Sequence, residues 1–189
     1  MKIGVLAIQG DFIEHISILQ DMGIESCEVR LPEHLVEIDG LIIPGGESTT
    51  LSRLLSRYNL RDPITLVSKS GKPVWGTCAG MIMMSKEITE SDPVPLGLMD
   101  IGVQRNAFGR QIDSFEQDLN IVDFDENPYH AIFIRAPIIT RVGENVSVMA
   151  TLDDGRPVAV RQNNLMATAF HPELTKDCRF HEYFLKISC

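Results

Sequence analysis

Nowhere in these 189 residues does an apolar run approach the roughly 20 residues that a membrane-spanning helix needs. The opening MKIGVLAIQGD reaches glycine and aspartate too soon for the core of a signal peptide. The chain has no block of lysines or arginines and no alternation of basic with aromatic residues, and its formal net charge is -9. Such a surface discourages non-specific binding to nucleic acid. The four cysteines, Cys27, Cys78, Cys178 and Cys189, form no CxxC pair, so free thiols and a cytosolic location are expected. No two histidines show metal-ligand spacing, and no metal is expected. Repeats, low-complexity segments and linkers are missing as well, so residues 1–189 are expected to form one domain.

What is present is a rhythm of short apolar runs and helical patterns. KIGVLAI (2–8), ESCEVR (25–30), DGLIIPGG (39–46) and KPVWG (72–76) read as strands. Between them lie a helix over 11–22, one through Leu51, Leu54 and Leu55, and one across 62–70. In the first of these Asp11 is a candidate N-cap with Glu14 three residues on, Ile16 and Leu19 share a face, and Gly23 stands at the stop. Nearly continuous apolar strands separated by helices imply a parallel sheet covered on both faces. From about residue 98 the pattern changes to LMDIGVQ, DLNIVDF, HAIFIRA, NVSVMAT, PVAVRQ and LMATAF, which are expected to pair antiparallel and extend the sheet edge. A last helix, roughly 176–187, turns Phe180, Phe184 and Ile187 inward.

In open α/β sheets ligands gather at the carboxyl ends of strands, and three unusual turns fall there. In GTCAG (76–80) small residues flank Cys78 at a strand-to-helix elbow, an arrangement that pushes a side chain out above a sheet. A helix starting there aims its positive end at the sulfur and favours the thiolate. The competing assignment is a buried core cysteine. In FHPE (170–173) His171 follows an apolar strand, and Glu173 can turn back to accept from the imidazole, as a nucleophile's base and its orienting carboxylate require; otherwise HPE merely starts a helix. His15 on the first helix is placed near the mouth, and His34, His130 and His181 have no comparable setting. PGGEST (44–49) offers bare backbone N–H groups for an oxyanion or other anion. It lacks the lysine and spacing of a phosphate loop, and Ser48 or Thr49 could simply cap the next helix.

GTCAG with a distant HPE resembles the class I (triad) glutamine amidotransferases. AIQGDFIEH (7–15), PGGESTT (44–50), RNAFGRQIDSF (105–115), FIRAP (133–137) and FHPEL (170–174) narrow the resemblance to the glutaminase subunits of the two-part pyridoxal 5'-phosphate synthase. The resemblance runs from end to end of the chain. It implies a flavodoxin-like α/β fold, with a mostly parallel central sheet flanked by helices and extended by antiparallel strands. By that resemblance Cys78 is the nucleophile, His171 the general base and acid, and Glu173 the orienting carboxylate. Gly46, Glu47 and Ser48 correspond to the glutamine-contacting loop, and Gly46 supplies an oxyanion N–H. Arg105, Ile134 and Arg135 match positions that hold the α-carboxylate and α-amino ends of the substrate. Gln9 and Gly10 match a segment that completes the oxyanion hole when a partner docks.

The implied substrate is L-glutamine, and the implied partner is a (β/α)₈-barrel synthase subunit that uses the ammonia to build pyridoxal 5'-phosphate. That compound is then the product of the complex, and this chain binds no cofactor. Two other readings stay open: an amidotransferase subunit feeding a different acceptor, and a catalytically silent binding or regulatory module. A thiol sensor of the related DJ-1-like group would also carry an elbow cysteine, without requiring HPE.

Overall fold

Ile3, Val5 and Leu6 of strand β1 (Lys2–Leu6) have no solvent exposure, because a parallel strand needs cover on both faces. The structure, a computed structural model, describes residues 1–105, 114–124 and 127–187. After β1 come helix α1 (Phe12–Asp21), β2 (Glu25–Val29), a 3₁₀ turn at Pro32–Leu35 and β3 (Gly40–Ile43). Helices α2 (Ser48–Arg57) and α3 (Arg61–Lys69) precede β4 (Val74–Thr77), which passes directly into α4 (Ala79–Met84). Gly23 does end α1. At φ +72° it donates to Gln20 O while Ile24 donates to Leu19 O, the paired bonds of a Schellman stop.

The second half supplies β5 (Ser85–Ile88), β6 (Met99–Gln104), β7 (Ser114–Leu119), β8 (Tyr129–Ile134), β9 (Ile138–Val142), β10 (Ser147–Thr151), β11 (Pro157–Gln162) and β12 (Leu165–Thr168). A 3₁₀ turn at Pro172–Leu174 and helix α5 (Arg179–Ile187) follow. The main sheet runs β10-β11-β12-β4-β3-β1-β2. Its strands from β12 to β2 are parallel, and β11 and β10 add an antiparallel edge.

The two faces of β4 show how the layers are fixed. Trp75 points to one face, where its ring stacks on Phe180 and lies against Phe184 of α5, with centroids 6.3 and 5.7 Å apart. The next residue, Gly76, points to the other face. A Cβ there would meet the backbone of Gly80 at 2.6 Å, so only glycine lets α4 lie against its own preceding strand. A Cβ on Gly80 would in turn land on the carbonyl oxygen of Ile43 in β3.

Several expectations need correction. The later strands do not form one extension of the sheet. Only β10, β11 and β12 join it, while β5-β6-β9 and β7-β8 make separate small sheets. DLNIVDF is not a strand along its length. Pairing with β8 runs from Ser114 to Leu119, and beyond it Asp123 adopts φ +71°, a left-handed conformation that ends extended chain. The β7 sequence SFEQDL and the β5 sequence SKEI are too polar to stand out as strands. Asp11 precedes α1 but makes no side-chain capping bond. The last helix starts at Arg179, later than expected. Residues 106–113 of the RNAFGRQIDSF stretch and Cys189 lie outside the described residues.

Gly80→Ala forces α4 away from β3, and overpacking of this kind costs about 1–3 kcal/mol. Urea unfolding should show a lower midpoint; a wild-type midpoint would mean that the close approach to Ile43 is not enforced.

Candidate active site

The strands β12, β4, β3 and β1 are consecutive in the sheet and parallel, so their carboxyl ends form one rim. His171 follows β12, Cys78 follows β4, Gly45 and Gly46 follow β3, and Gln9 and Gly10 follow β1. Four turns remote in sequence meet there by topology alone, where α/β sheets place ligands.

Cys78 joins β4 to α4 at φ 47° and ψ -103°. This is a left-handed φ on a residue with a Cβ, a strain that persists only where surrounding structure imposes it. Its N–H donates to Thr168 O at 2.8 Å, which pins the elbow to the neighbouring strand. The sulfur is nearly buried and lies 3.8 Å from the carbonyl oxygen of Ile134. A core cysteine has no need of a strained elbow.

His171 is fixed through both backbone and ring. Its N–H donates to Ile132 O of β8 at 2.9 Å, and Nδ1 stands 2.7 Å from Glu173 Oε1. Asp11 Oδ2 is 3.6 Å from the same nitrogen. Burial opposes protonation of the ring. Hydrogen bonding and charge from Cys78 and Glu173 outweigh it, and the His171 pKa is pushed up to about 10. Nδ1 is committed to Glu173, which leaves Nε2 for the sulfur. Burial raises the Glu173 carboxyl, and its bond with His171 acts in the opposite direction. Asp11, His171 and Glu173 bring ligand atoms within 4.8 Å of one another. A ring whose Nδ1 proton is bonded to Glu173 cannot ligate through that nitrogen, so in this arrangement Nδ1 serves the carboxylate.

The loop after β3 lies backbone to backbone on the turn after β1. Asp11 N–H donates to Gly45 O at 3.2 Å, and a Cβ on Gly10, at φ +92°, would strike that oxygen. Glu47 N–H donates to Gln9 Oε1 at 3.2 Å, and a Cβ on Gly46, at φ +148°, would strike the Gln9 amide. Gln9 therefore sits behind the loop and is not among the residues lining the cavity. Glu47, and not Ser48 or Thr49, caps α2, accepting from Thr49 N and Thr50 N at 3.0 and 2.7 Å. Burial would raise its carboxyl, but these bonds bring it down to about 2. Arg105 reaches the same carboxylate at 3.4 Å and the Asp92 carbonyl at 2.8 Å.

A cavity of about 470 Å³ opens over the rim, lined by Gly46, Glu47, Ser48, Cys78, Arg105, Ile134, Arg135 and His171, together with Asp11, Ala79, Ile82 and Leu174. Its size suits a small polar molecule. Arg135 lies at φ 44° directly after β8. Ile82 escaped the motif reading; Leu174 entered it only as the end of FHPEL, Ala79 as a small neighbour of Cys78, and Asp11 as a helix cap within AIQGDFIEH, none with a role at the site. His15 lies elsewhere than expected: it is fully buried, 3.4 Å from Glu173 Oε2, and its Nδ1 meets His181 Nε2 at 3.0 Å. Its place four residues before the buried Leu19 was the available signal. Among the other described cysteines, Cys27 and Cys178 are partly buried, and burial is the main cause that raises both thiols.

The model of the SNO glutamine amidotransferase family matches residues 5–188. The chain is 58% identical to "Pyridoxal 5'-phosphate synthase subunit PdxT" of Herpetosiphon aurantiacus, over 98% of this chain and 99% of that one. It is 54% identical to the protein of the same name from Moorella thermoacetica, covering 99% of each. A crystal structure of a glutamine amidotransferase superposes with a TM-score of 0.93 at 47% identity, covering 98% of both chains. A putative GMP synthase subunit from Thermoplasma acidophilum, at 16% identity and a TM-score of 0.73 over 100% of this chain and 94% of that one, shares the fold.

The raised pKa gives a pH test. A ring titrating near 10 stays cationic through neutrality and loses its proton only as pH rises through that value. Its contribution to stability is present below the unfolded value of about 6.5 and vanishes above the folded one. His171→Asn should slow iodoacetamide alkylation of Cys78 at neutral pH by about tenfold or more, with the difference closing as pH approaches 10. Peptide mass spectrometry separates Cys78 from the other thiols; equal rates at neutral pH would mean that the ring does not act on the sulfur.

Proposed function

The chain belongs to the SNO glutamine amidotransferase family, and on that premise we propose that residues 1–189 act as one glutaminase domain. It hydrolyses L-glutamine to L-glutamate and ammonia for a pyridoxal 5'-phosphate synthase. The observation that carries the reading is the His171 ring held between the Cys78 sulfur and Glu173 on the rim of the sheet. Relatives at 53–58% identity over nearly their whole lengths bear the name of that synthase's subunit. This disfavours a different acceptor.

The chemistry follows from the geometry. The Cys78 thiolate attacks the γ-carbonyl carbon of glutamine; the C–S bond forms and the carbonyl electron pair moves to oxygen. Loop N–H groups, with Gly46 among them, stabilise the oxyanion. His171, already cationic, gives its Nε2 proton to the amide nitrogen. The C–N bond breaks, and ammonia leaves a γ-glutamyl thioester. Water then attacks the thioester while His171 accepts its proton, and the thiolate departs as glutamate forms. Glu173 keeps the ring aimed and stabilises its charge.

Within the cavity, Arg105 and the Ile134–Arg135 pair hold the amino-acid end of the substrate, and Glu47 and Ser48 border its side chain. Gln9 and Gly10 complete the oxyanion hole when the partner docks. One missing oxyanion donor lowers turnover by about 10²–10³, so the isolated chain is a slow glutaminase. Ammonia free in neutral water is mostly protonated and no longer nucleophilic. An ammonia source of this size therefore works docked on its acceptor, a synthase subunit of (β/α)₈-barrel form, in the cytosol. Among the described residues no helix is long and apolar enough to cross a membrane.

Cys78→Ala should abolish ammonia release from glutamine while leaving the fold and partner docking intact. Residual wild-type release would overturn the nucleophile assignment, and failure of an electrophilic glutamine analogue to label Cys78 in the complex would favour a silent module. Arg135→Ala should raise KM through loss of a charge-assisted bond worth about 1.5–3 kcal/mol. An unchanged KM would make Arg135 a structural residue of the strand end.

A further inference from the structure

Glu173 is almost fully buried, and only one of its carboxylate oxygens is served by His171. The other, Oε2, makes no hydrogen bond of good geometry among the described residues. The basic group in range of it is His15 Nε2, at 3.4 Å, and both side chains have no solvent exposure. His15 in turn meets His181 through Nδ1 at 3.0 Å, and His181 is also fully buried. The edge of the Trp75 system closes over the pair, with ring centroids 5.5 Å from His15 and 4.9 Å from His181.

We propose that His15, held by His181, is a positioning residue for the glutaminase: it presents an N–H to the free oxygen of Glu173 and so keeps the other oxygen aimed at His171. The inference rests on the glutaminase reading above.

The tautomers follow from the contacts. A lone pair on His15 Nε2 would face the carboxylate with like polarity, so Nε2 carries the proton, shared with Thr77 Oγ1 at 3.4 Å. Nδ1 is then an acceptor, and His181 must donate to it through Nε2–H. That leaves His181 Nδ1 as a bare lone pair, and this atom is the one found buried without a partner. An orphaned lone pair is the less expensive choice, since a buried N–H without an acceptor loses its whole hydration. Both rings are neutral: burial is the largest cause holding His15 well below the ordinary histidine range, and burial brings His181 down to about 3. A neutral donor can serve Glu173 without competing with His171 for its charge. The 3.4 Å spacing fits a contact that tightens when the site is engaged, as catalytic hydrogen bonds do in free enzymes.

The test uses the chain together with its synthase partner. His15→Leu keeps an apolar side chain in a buried site but removes both nitrogens. In the complex it should lower kcat for ammonia release by about 10- to 100-fold with KM nearly unchanged, the size of loss seen when a supporting hydrogen bond behind a metal ligand is removed. His15→Gln, whose amide nitrogen reaches about as far as Nε2, should restore most of the rate. In the isolated full chain, the downfield NMR resonance of the His171 Nδ1 proton should be lost or shifted in His15→Leu and regained in His15→Gln. Were His15→Leu not to fold, His181→Phe keeps a ring against Trp75 while removing the donor to His15, and should show the same loss in kcat and resonance. A folded variant of either kind with wild-type kcat and an unmoved resonance overturns the proposal. A wild-type complex that releases no ammonia sinks the glutaminase reading instead, and the resonance alone then decides the His15 contact.

Discussion

A 2.7 Å bond between His171 and Glu173, closed off from water, is the constraint around which the rim of the sheet is arranged. A buried carboxylate is costly unless it is paired and its remaining lone pairs are met. One oxygen is met by a cationic ring, and that ring is itself held by a backbone bond to β8. Gly45 belongs to the same arrangement. A Cβ there would approach His171 Cε1 at 2.5 Å, so the loop can cross the imidazole only as bare backbone. The bond fixes the ring, and the ring leaves room for the neighbouring loop only as glycine.

The loop after β3 is less independent than its sequence suggests. Gly10 against Gly45, and Gly46 against the Gln9 amide, lock the turn after β1 to the turn after β3. The bond from Glu47 N–H to Gln9 occupies a donor of this loop. The turn after β1 is thereby tied through the Gln9 side chain to the loop that borders the cavity. Glu47 holds the loop from the other direction, since its carboxylate is tied to the first turn of α2 and to Arg105.

The candidate site was legible in sequence where its information is local. Cys78 between two glycines announces an elbow because strand, turn and helix follow within a few residues, and His171 with Glu173 lies two residues apart in one turn. The parallel half of the sheet was legible in β1, β3 and β4, where both-face burial writes itself as apolar runs, whereas β12, expected among the antiparallel strands, pairs parallel with β4. What failed was information that is not local. The hairpin β7-β8 is recognised by a Phe115–Phe133 stack with centroids 4.4 Å apart, across a strand whose remaining residues, Leu119 apart, are polar. His15 and His181 stand 166 positions apart, and nothing near either residue hints that a buried carboxylate lies beside them.

Three histidines at one centre then differ only in what surrounds them. His171 faces Cys78 and Glu173, whose hydrogen bonds and charge outweigh burial and push its pKa up to about 10. His15 and His181 sit one and two steps further in, where burial dominates and keeps them neutral. A second cation beside Glu173 would divide the carboxylate's field and weaken its hold on His171, whereas a neutral N–H satisfies an oxygen and leaves that field intact. Whether each ring is cationic or neutral therefore follows from whether acidic partners outweigh burial once the backbone has placed the rings. The fold has only to decide which histidine is nearest the sulfur, and the order of strands β12 and β4 in the sheet decides that.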